Sequence, residues 1–204
     1  TKYVCEKLLL NVPSELCNIN IIRYGLLCGD TQKGISAPKD FLGMFVRGAM
    51  VVNKLPKDPT GKLGIDISPV DIASKITVDI SAKSDCGIYH VASENPLLYS
   101  ELCRIIEKCA NVKVEEDFET WKGILPEYLD NANVTALGMS LCRLDKEAYN
   151  SLRYMDLFQT TNIRFDMTNT HRLTEHRIYQ NETLIELYIK NEKIRHCQMS
   201  NSSI

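Results

Sequence analysis

A β-branched run that stops on a glycine constrains this chain more than any other feature. Asn18-Ile19-Asn20-Ile21-Ile22-Arg23-Tyr24 is short, apolar and rich in isoleucine, which predicts a buried strand. Gly25 ends it, and residues 25–38 hold three glycines among polar residues, hence a loop. Strand, glycine and long loop, in that order, is the layout at the C-terminal edge of a parallel sheet, where α/β folds place their ligands.

Helical and strand patterns alternate on either side. Residues 2 to about 11 have helical composition. Residues 39–53 repeat Phe41, Met44, Phe45, Gly48, Ala49 and Val52 on one stripe. Residues 53–64, with two prolines and Gly61, read as a loop. Ile65-Asp66-Ile67 is a short strand running into Ser68-Pro69-Val70-Asp71. That tetrapeptide predicts a helix start, with Ser68 as N-cap, Pro69 at N1 and Asp71 reaching back. Ile72, Ala73, Ile76 and Ile80 then face a core. Cys86-Gly87-Ile88-Tyr89-His90-Val91 predicts a second buried strand. Asn95-Pro96 begins a helix with Leu98, Leu102, Ile105, Ile106 and Cys109 on one side. A short strand is expected over 112–115, a helix over 117–128 around Trp121, another over 145–158, and a last one from 182 to about 194. Helices dominate after residue 92, so an α/β core passes into a mostly helical lobe.

Composition excludes several classes. A chain of 204 residues can bury a core. Its 24 basic and 26 acidic residues leave a formal charge of −2, which invites neither nucleic acid nor an anionic membrane. No run approaches the roughly 18 apolar residues of a membrane span. The chain opens on Thr1 without a leader pattern and reads as a piece of a longer polypeptide. Eight cysteines form no C-x-x-C pair. Most sit in apolar runs such as Leu26-Leu27-Cys28 and Ser140-Leu141-Cys142, as small hydrophobes, which points to a reducing, cytoplasmic compartment. The four histidines are dispersed, and His171 and His176 are five apart, off the face a helical metal site uses. They are expected at the surface, with no metal.

The first seven residues, Thr1-Lys2-Tyr3-Val4-Cys5-Glu6-Lys7, resemble the [ST]-K-W-V-A-E-K run of extended short-chain dehydrogenase/reductases, in particular the thioester reductase domains that end carrier-protein synthases, with Tyr3 in place of Trp. Ile22-Arg23-Tyr24-Gly25-Leu26-Leu27-Cys28-Gly29 resembles the same family's R-P-G-x-I-x-G segment, with Tyr24 in place of Pro. Ile65-Asp66-Ile67-Ser68-Pro69-Val70-Asp71 resembles its I-D-x-x-P-V-D stretch, Ile88-Tyr89-His90-Val91 its F-H-L strand, Glu116 to Trp121 its Y-x-x-W helix start, and Asn162 to Asp166 its N-x-R-F-D segment. Their common order carries the resemblance over about residues 1–175.

The resemblance implies the C-terminal portion of an extended NAD(P)-binding Rossmann-type reductase, with residues 1–30 closing the Rossmann core. Residues 31–204 would then be a substrate and carrier lobe with the last core strands interleaved. It implies that Lys2 is the catalytic lysine, holding the nicotinamide ribose and depressing the pKa of a tyrosine three residues upstream of Thr1. That tyrosine would donate to the substrate oxygen as general acid. Tyr24, Gly25 and Leu26 would line the nicotinamide, Gly25 allowing close backbone approach. NADPH is the implied cofactor, a phosphopantetheine-linked acyl thioester the substrate, and an acyl or peptidyl carrier protein the partner. An N-terminal Rossmann half is expected to complete the site, since no G-x-x-G-x-x-G occurs in these residues; alone, they are expected to be inactive. Tyr3 and Lys7 form a rival Y-x-x-x-K pair. A non-catalytic partner-binding remnant, a fatty acyl-CoA reductase and a sugar-nucleotide epimerase remain alternatives.

Overall fold

The computed structural model describes residues 1–57, 63–83, 86–115, 117–128, 130–141 and 164–201. In chain order the first elements are α1 (Lys2–Leu10), β1 (Asn20–Tyr24), β2 (Leu27–Cys28), α2 (Phe41–Val52), β3 (Lys54–Pro56), β4 (Gly64–Ile65), β5 (Ser68–Pro69) and α3 (Val70–Ser81). There follow β6 (Gly87–Val91), β7 (Leu97–Leu98), α4 (Tyr99–Ala110), β8 (Lys113–Glu115), α5 (Phe118–Ile124), a 3₁₀ turn (Leu125–Tyr128), α6 (Ala132–Leu141), α7 (Thr168–Leu173) and α8 (Glu182–Asn201).

β1 and β6 pair in parallel, Asn20 opposite Gly87 through Tyr24 opposite Val91. Parallel strands need a crossover, and α3 supplies it, packing on β1, β2 and α7. Ala73, Ile76 and Ile80 of α3 meet Tyr89 and Val91 of β6 and Ile178 in one small core. Both strands are less buried than their composition predicts. In β1 only Ile21 is buried, and Arg23 and Tyr24 are both exposed. Among the described residues each strand has one paired neighbour, so one edge stays uncovered, where a central parallel strand would have neighbours on both.

The second core is larger and helical. α2 starts on Asp40, whose carboxylate accepts from Gly43 N at 2.9 Å, and ends on Asn53 in the left-handed region (φ 57). It is buried on more than one stripe: Leu42 and Val46 join Phe45, Ala49 and Val52, because α6 and α8 pack on it from different sides. α4 keeps a strict amphipathic pattern, with Leu102, Cys103, Ile105 and Ile106 inside and Arg104 and Lys108 outside. Those two cations pair with Glu182 and Glu186 of α8. Trp121 is fully buried and donates from Nε1 to Lys54 O, tying α5 to β3.

Several sequence expectations give way. The loop expected over 53–64 contains β3, parallel to β8 with Lys54 opposite Lys113; residues 58–62 lie outside the described residues. Ser68 is not an N-cap, because Ser68–Pro69 pairs with Leu27–Cys28 as β5 and its hydroxyl turns to Asp66. Helix α3 begins one residue later than expected, and Asp71 reaches to Thr31 instead of back to its own helix end. α4 begins at Tyr99, since Leu97–Leu98 is held antiparallel to Gly64–Ile65. α6 and α7 were not legible, and α8 continues past 194 to Asn201. Cys5, Cys17, Cys86 and Cys197 are exposed, so among the described residues only Cys28 and Cys103 act as fully buried hydrophobes. Of the histidines only His176 is largely exposed; His90, His171 and His196 are half-buried. Glu116, Cys142, Asn162, Ile163 and the helix expected over 145–158 lie outside the described residues.

Candidate functional site

The strand ends at residues 24–26 are fastened by a carboxylate the sequence offers 40 residues later. Gly25 N donates to Val91 O at 2.9 Å, carrying the β1/β6 ladder one step past the strand. Leu26 N donates to Asp66 Oδ2 at 3.0 Å, Ser93 N donates to Oδ1 at 2.7 Å, and the Ser68 hydroxyl donates to Oδ2 at 3.4 Å. Leu26 O in turn accepts from Ser68 N at 2.8 Å. Asp66 is 4% exposed, so these donors replace its water. Burial pushes its carboxyl above the usual carboxylate range, against the pull of the Ser93 and Leu26 amides and the Ser68 hydroxyl.

Gly25 is required here by packing. A Cβ at this position would sit 1.4 Å from Asp66 Oδ2. Its φ lies outside the left-handed region, so the glycine answers a contact and not a dihedral. Tyr24 leans the other way: its hydroxyl lies 2.7 Å from Thr77 Oγ1, whose proton goes to Ala73 O at 2.7 Å. Tyr24 therefore donates to Thr77, and β1 is pinned to α3 at the turn. Where the family pattern has a rigid proline, this chain has a hydrogen-bonded tyrosine beside a clamped glycine.

Beyond the turn, Asp30 accepts from the amides of Gln32, Lys33 and Ile35 at 2.9, 2.7 and 3.0 Å, which hold its carboxyl below the usual range. Gly34 takes φ +65°, which a side chain would strain. The loop then passes the lobe's buried charges. Arg47, 2% exposed, pairs with Glu192 of α8, donates from Nη2 to Pro38 O at 2.7 Å and from Nε to Asn133 Oδ1 at 3.1 Å. Glu192 also accepts from Ser36 at 3.1 Å and Arg195 at 2.9 Å. Next to Thr31 opens a hollow of about 470 Å³, with Pro69, Ile72, Ile178, Leu184 and Leu187 on its walls.

Lys2 stands apart from this cluster. α1 buries none of its residues, and Lys2 is exposed. Tyr3 and Lys7 share a face, with Lys7 Nζ 5.5 Å from the Tyr3 ring centroid; Tyr3 is 70% exposed. Glu6 of the same helix takes a bidentate contact from Arg23 of β1, at 3.0 and 2.5 Å. The structure thus gathers Gly25 and Leu26 with Asp66, Ser68 and Ser93, and Tyr24 with Thr77. It leaves Lys2 on a helix joined to that cluster through Glu6 and Arg23. Asp66 was the legible clue: a carboxylate inside Gly64-Ile65-Asp66-Ile67 must be exposed or fully bonded, and its neighbours are apolar. Among the described residues no group of His, Cys, Asp and Glu could hold a metal ion.

A nicotinamide cofactor needs from this part of a fold a fixed backbone turn at the C-terminal end of parallel strands, and residues 24–26 fit that need. A helix N-terminus for the pyrophosphate would have to come from a glycine-rich turn that residues 1–204 do not contain.

Comparison with known proteins points the same way. Residues 1–77 match a family model described as male sterility protein, an NAD-binding family. The large subunit of L-2-aminoadipate reductase from Candida glabrata is 26% identical over 172 residues, covering 75% of this chain. This chain spans 12% of that protein's length. Among solved structures, a thiolation-reductase di-domain from an archaeal non-ribosomal peptide synthetase superposes with a TM-score of 0.69 at 15% identity, over 97% of this chain and 40% of that one. The terminal R domain of the myxalamid PKS-NRPS pathway gives 0.64 at 16% identity, over 86% and 43%. The resemblance read from the sequence is borne out. The fold is α/β, of the extended NAD-binding reductase type. Among the described residues no helix is long and apolar enough to cross a membrane.

Proposed function

We propose that this chain is part of an NADPH-dependent thioester reductase that releases a carrier-bound acyl group as an aldehyde. The carrying observation is the turn at residues 24–26, fixed by Asp66 at the C-terminal ends of β1 and β6.

When bound, the cofactor supplies a hydride. In balance, one thioester, one NADPH and one proton give one aldehyde, one thiol and one NADP⁺, and a second hydride would give an alcohol. This chain contributes orientation. Leu26 N and O are both engaged within the protein, so the peptide planes of the turn cannot rotate to suit water. Lys2, as a cation on the helix next to β1, would hold the cofactor's ribose and lower the pKa of an acid one turn upstream. The lobe after residue 30, with the hollow beside Thr31, would receive the acyl-phosphopantetheine arm. Its apolar walls suit an acyl chain, and Asn181, Thr183 and Lys190 at its edge offer polar partners for the arm's amides and phosphate.

The test is NADPH oxidation by the full-length protein with an acyl thioester on a carrier protein, with the aldehyde trapped as a hydrazone. Turnover is expected with the carrier-bound substrate and less with the same acyl-CoA. Equal use of acyl-CoA would favour a soluble acyl-CoA reductase. Carrier binding without NADPH binding would leave a docking remnant. Residues 1–204 alone are expected to show no turnover, because the pyrophosphate has no helix N-terminus among them.

A further inference from the structure

We propose that Glu6 and Arg23 are positioning residues whose ion pair sets Lys2 against the turn at Gly25 and Leu26; this rests on the reductase reading above. α1, the helix that bears Lys2, meets β1 through Glu6. Its tie to β1 is polar. Arg23 donates from Nε to Glu6 Oε1 at 3.0 Å and from Nη2 to Oε2 at 2.5 Å. A planar guanidinium gripping both oxygens of a carboxylate fixes direction as well as distance, which a lysine in its place would not.

Arg23 is itself braced from the far side. Its register partner across the β1/β6 ladder is His90, whose Nε2 lies 3.5 Å from Arg23 Nη1. A guanidinium only donates, so Nε2 accepts and Nδ1 carries the proton toward Asp166 O, 3.1 Å away. The Phe165 ring stands 5.5 Å from the imidazole at 33°. The guanidinium is thereby oriented from β6 and from residues 165–166 before it meets Glu6.

The pair links the two parts of the site by the shortest covalent route. Lys2 precedes Glu6 by four residues, on the same helical face and about 6 Å along the axis. Gly25 follows Arg23 by two residues on a strand locked to β6. Arg23 holds the Glu6 carboxyl below its usual range, so the pair stays charged at neutral pH. An exposed pair of this kind adds little to stability. Its worth is geometric, and the measurement has to separate the two.

The experiment compares wild type, Glu6→Gln, Arg23→Gln and the exchanged pair Glu6→Arg with Arg23→Glu, in the full-length protein. NADPH affinity is read by nicotinamide fluorescence, kcat and KM with a carrier-bound thioester, and stability by thermal melting. Each single variant is expected to weaken NADPH binding and lower kcat by about tenfold or more. Thioester KM should stay within about twofold, and Tm close to wild type. The exchanged pair should recover part of the lost affinity and kcat, short of wild type because residue 23 then no longer donates to His90 Nε2. Single variants with wild-type affinity and kcat, or an exchanged pair as poor as the singles, overturn the proposal. If wild type binds NADPH but reduces no thioester, the reductase reading fails while the affinity arm still decides the pair. If wild type binds no NADPH, both fall.

Discussion

Replacing Gly25 by alanine asks whether Asp66 holds the turn. A Cβ there lies 1.4 Å from Oδ2 and 2.6 Å from Cγ of Asp66, distances at which one partner must leave. The backbone is the stiffer one, since Gly25 N is bonded to Val91 O and Leu26 O to Ser68 N. The carboxylate therefore moves, and it forfeits its bonds from Leu26 N and Ser93 N. A hydrogen bond to a charged group contributes about 1.5–3 kcal/mol, so two of them set a loss of roughly 3–6 kcal/mol. Without the clash the sign would reverse. Gly25 has no positive φ, and alanine at an unstrained glycine stabilises by about 0.4–1 kcal/mol through the unfolded chain.

Urea denaturation of a double-mutant cycle separates the two effects. In an Asp66→Gly background the severe clash at residue 25 is gone, with only Ser68 Oγ still near at 3.2 Å, and the two bonds are already absent. Gly25→Ala should then cost less than about 1 kcal/mol, giving a coupling of about 2–5 kcal/mol. The reasoning is refuted if Gly25→Ala alone stays within about 1 kcal/mol of wild type. It is refuted equally if the alanine costs the same in both backgrounds.

Three further outcomes follow from the packing. Arg47→Met should cost up to about 3–5 kcal/mol in a chemical melt, because buried Glu192 loses Arg47 and keeps only Arg195 and Ser36, whereas Arg47→Met with Glu192→Leu should recover most of that loss. An equal loss in both variants would show that the pair's neighbours matter and the charge does not. Trp121→Ala should destabilise by about 3–5 kcal/mol and Trp121→Phe by less, the latter isolating the bond to Lys54 O from the bulk of the ring. Asp66, whose carboxyl is raised by burial, binds a proton more tightly folded than unfolded, so its contribution is full below its ordinary pKa of 3.8 and is lost as pH rises through the folded value. The stability of wild type minus that of Asp66→Asn, followed by denaturant titration, should fall as pH rises from about 4, and a rise would contradict the assignment.

The parts of the fold visible in the sequence are those whose cause is local. α2 carries its own cap in Asp40, and in α2 and α4 most of the expected stripe is buried: Phe45, Gly48, Ala49 and Val52 in the first, Leu102, Ile105 and Ile106 in the second. β3, β5 and β7 are two or three residues long and exist only because β8, β2 and β4 lie beside them. No periodicity can be read in three residues, and the partner of Lys54 is Lys113. The same competition removed the cap expected of Ser68: a serine before Pro-Val-Asp is a helix start only while its amide and hydroxyl are free. Here its amide goes to Leu26 O and its hydroxyl to Asp66. Tertiary bonds outranked the local signal.

The site divides along the same line. Gly25 was legible as special, and the structure adds a packing reason that its surroundings in the sequence do not show: a Cβ there would run into Asp66. That changes what a substitution means: damage at Gly25 acts first on the clamp and only through it on anything bound nearby. Lys2 carries the converse lesson. Its expected role comes from the resemblance of the opening heptapeptide, while the described tie of its helix to β1 runs through Arg23, which His90 flanks, two residues that look like ordinary strand positions. A lysine in the role proposed here needs its helix held by directed contacts. The bidentate Arg23–Glu6 pair is the contact of that kind the strand provides.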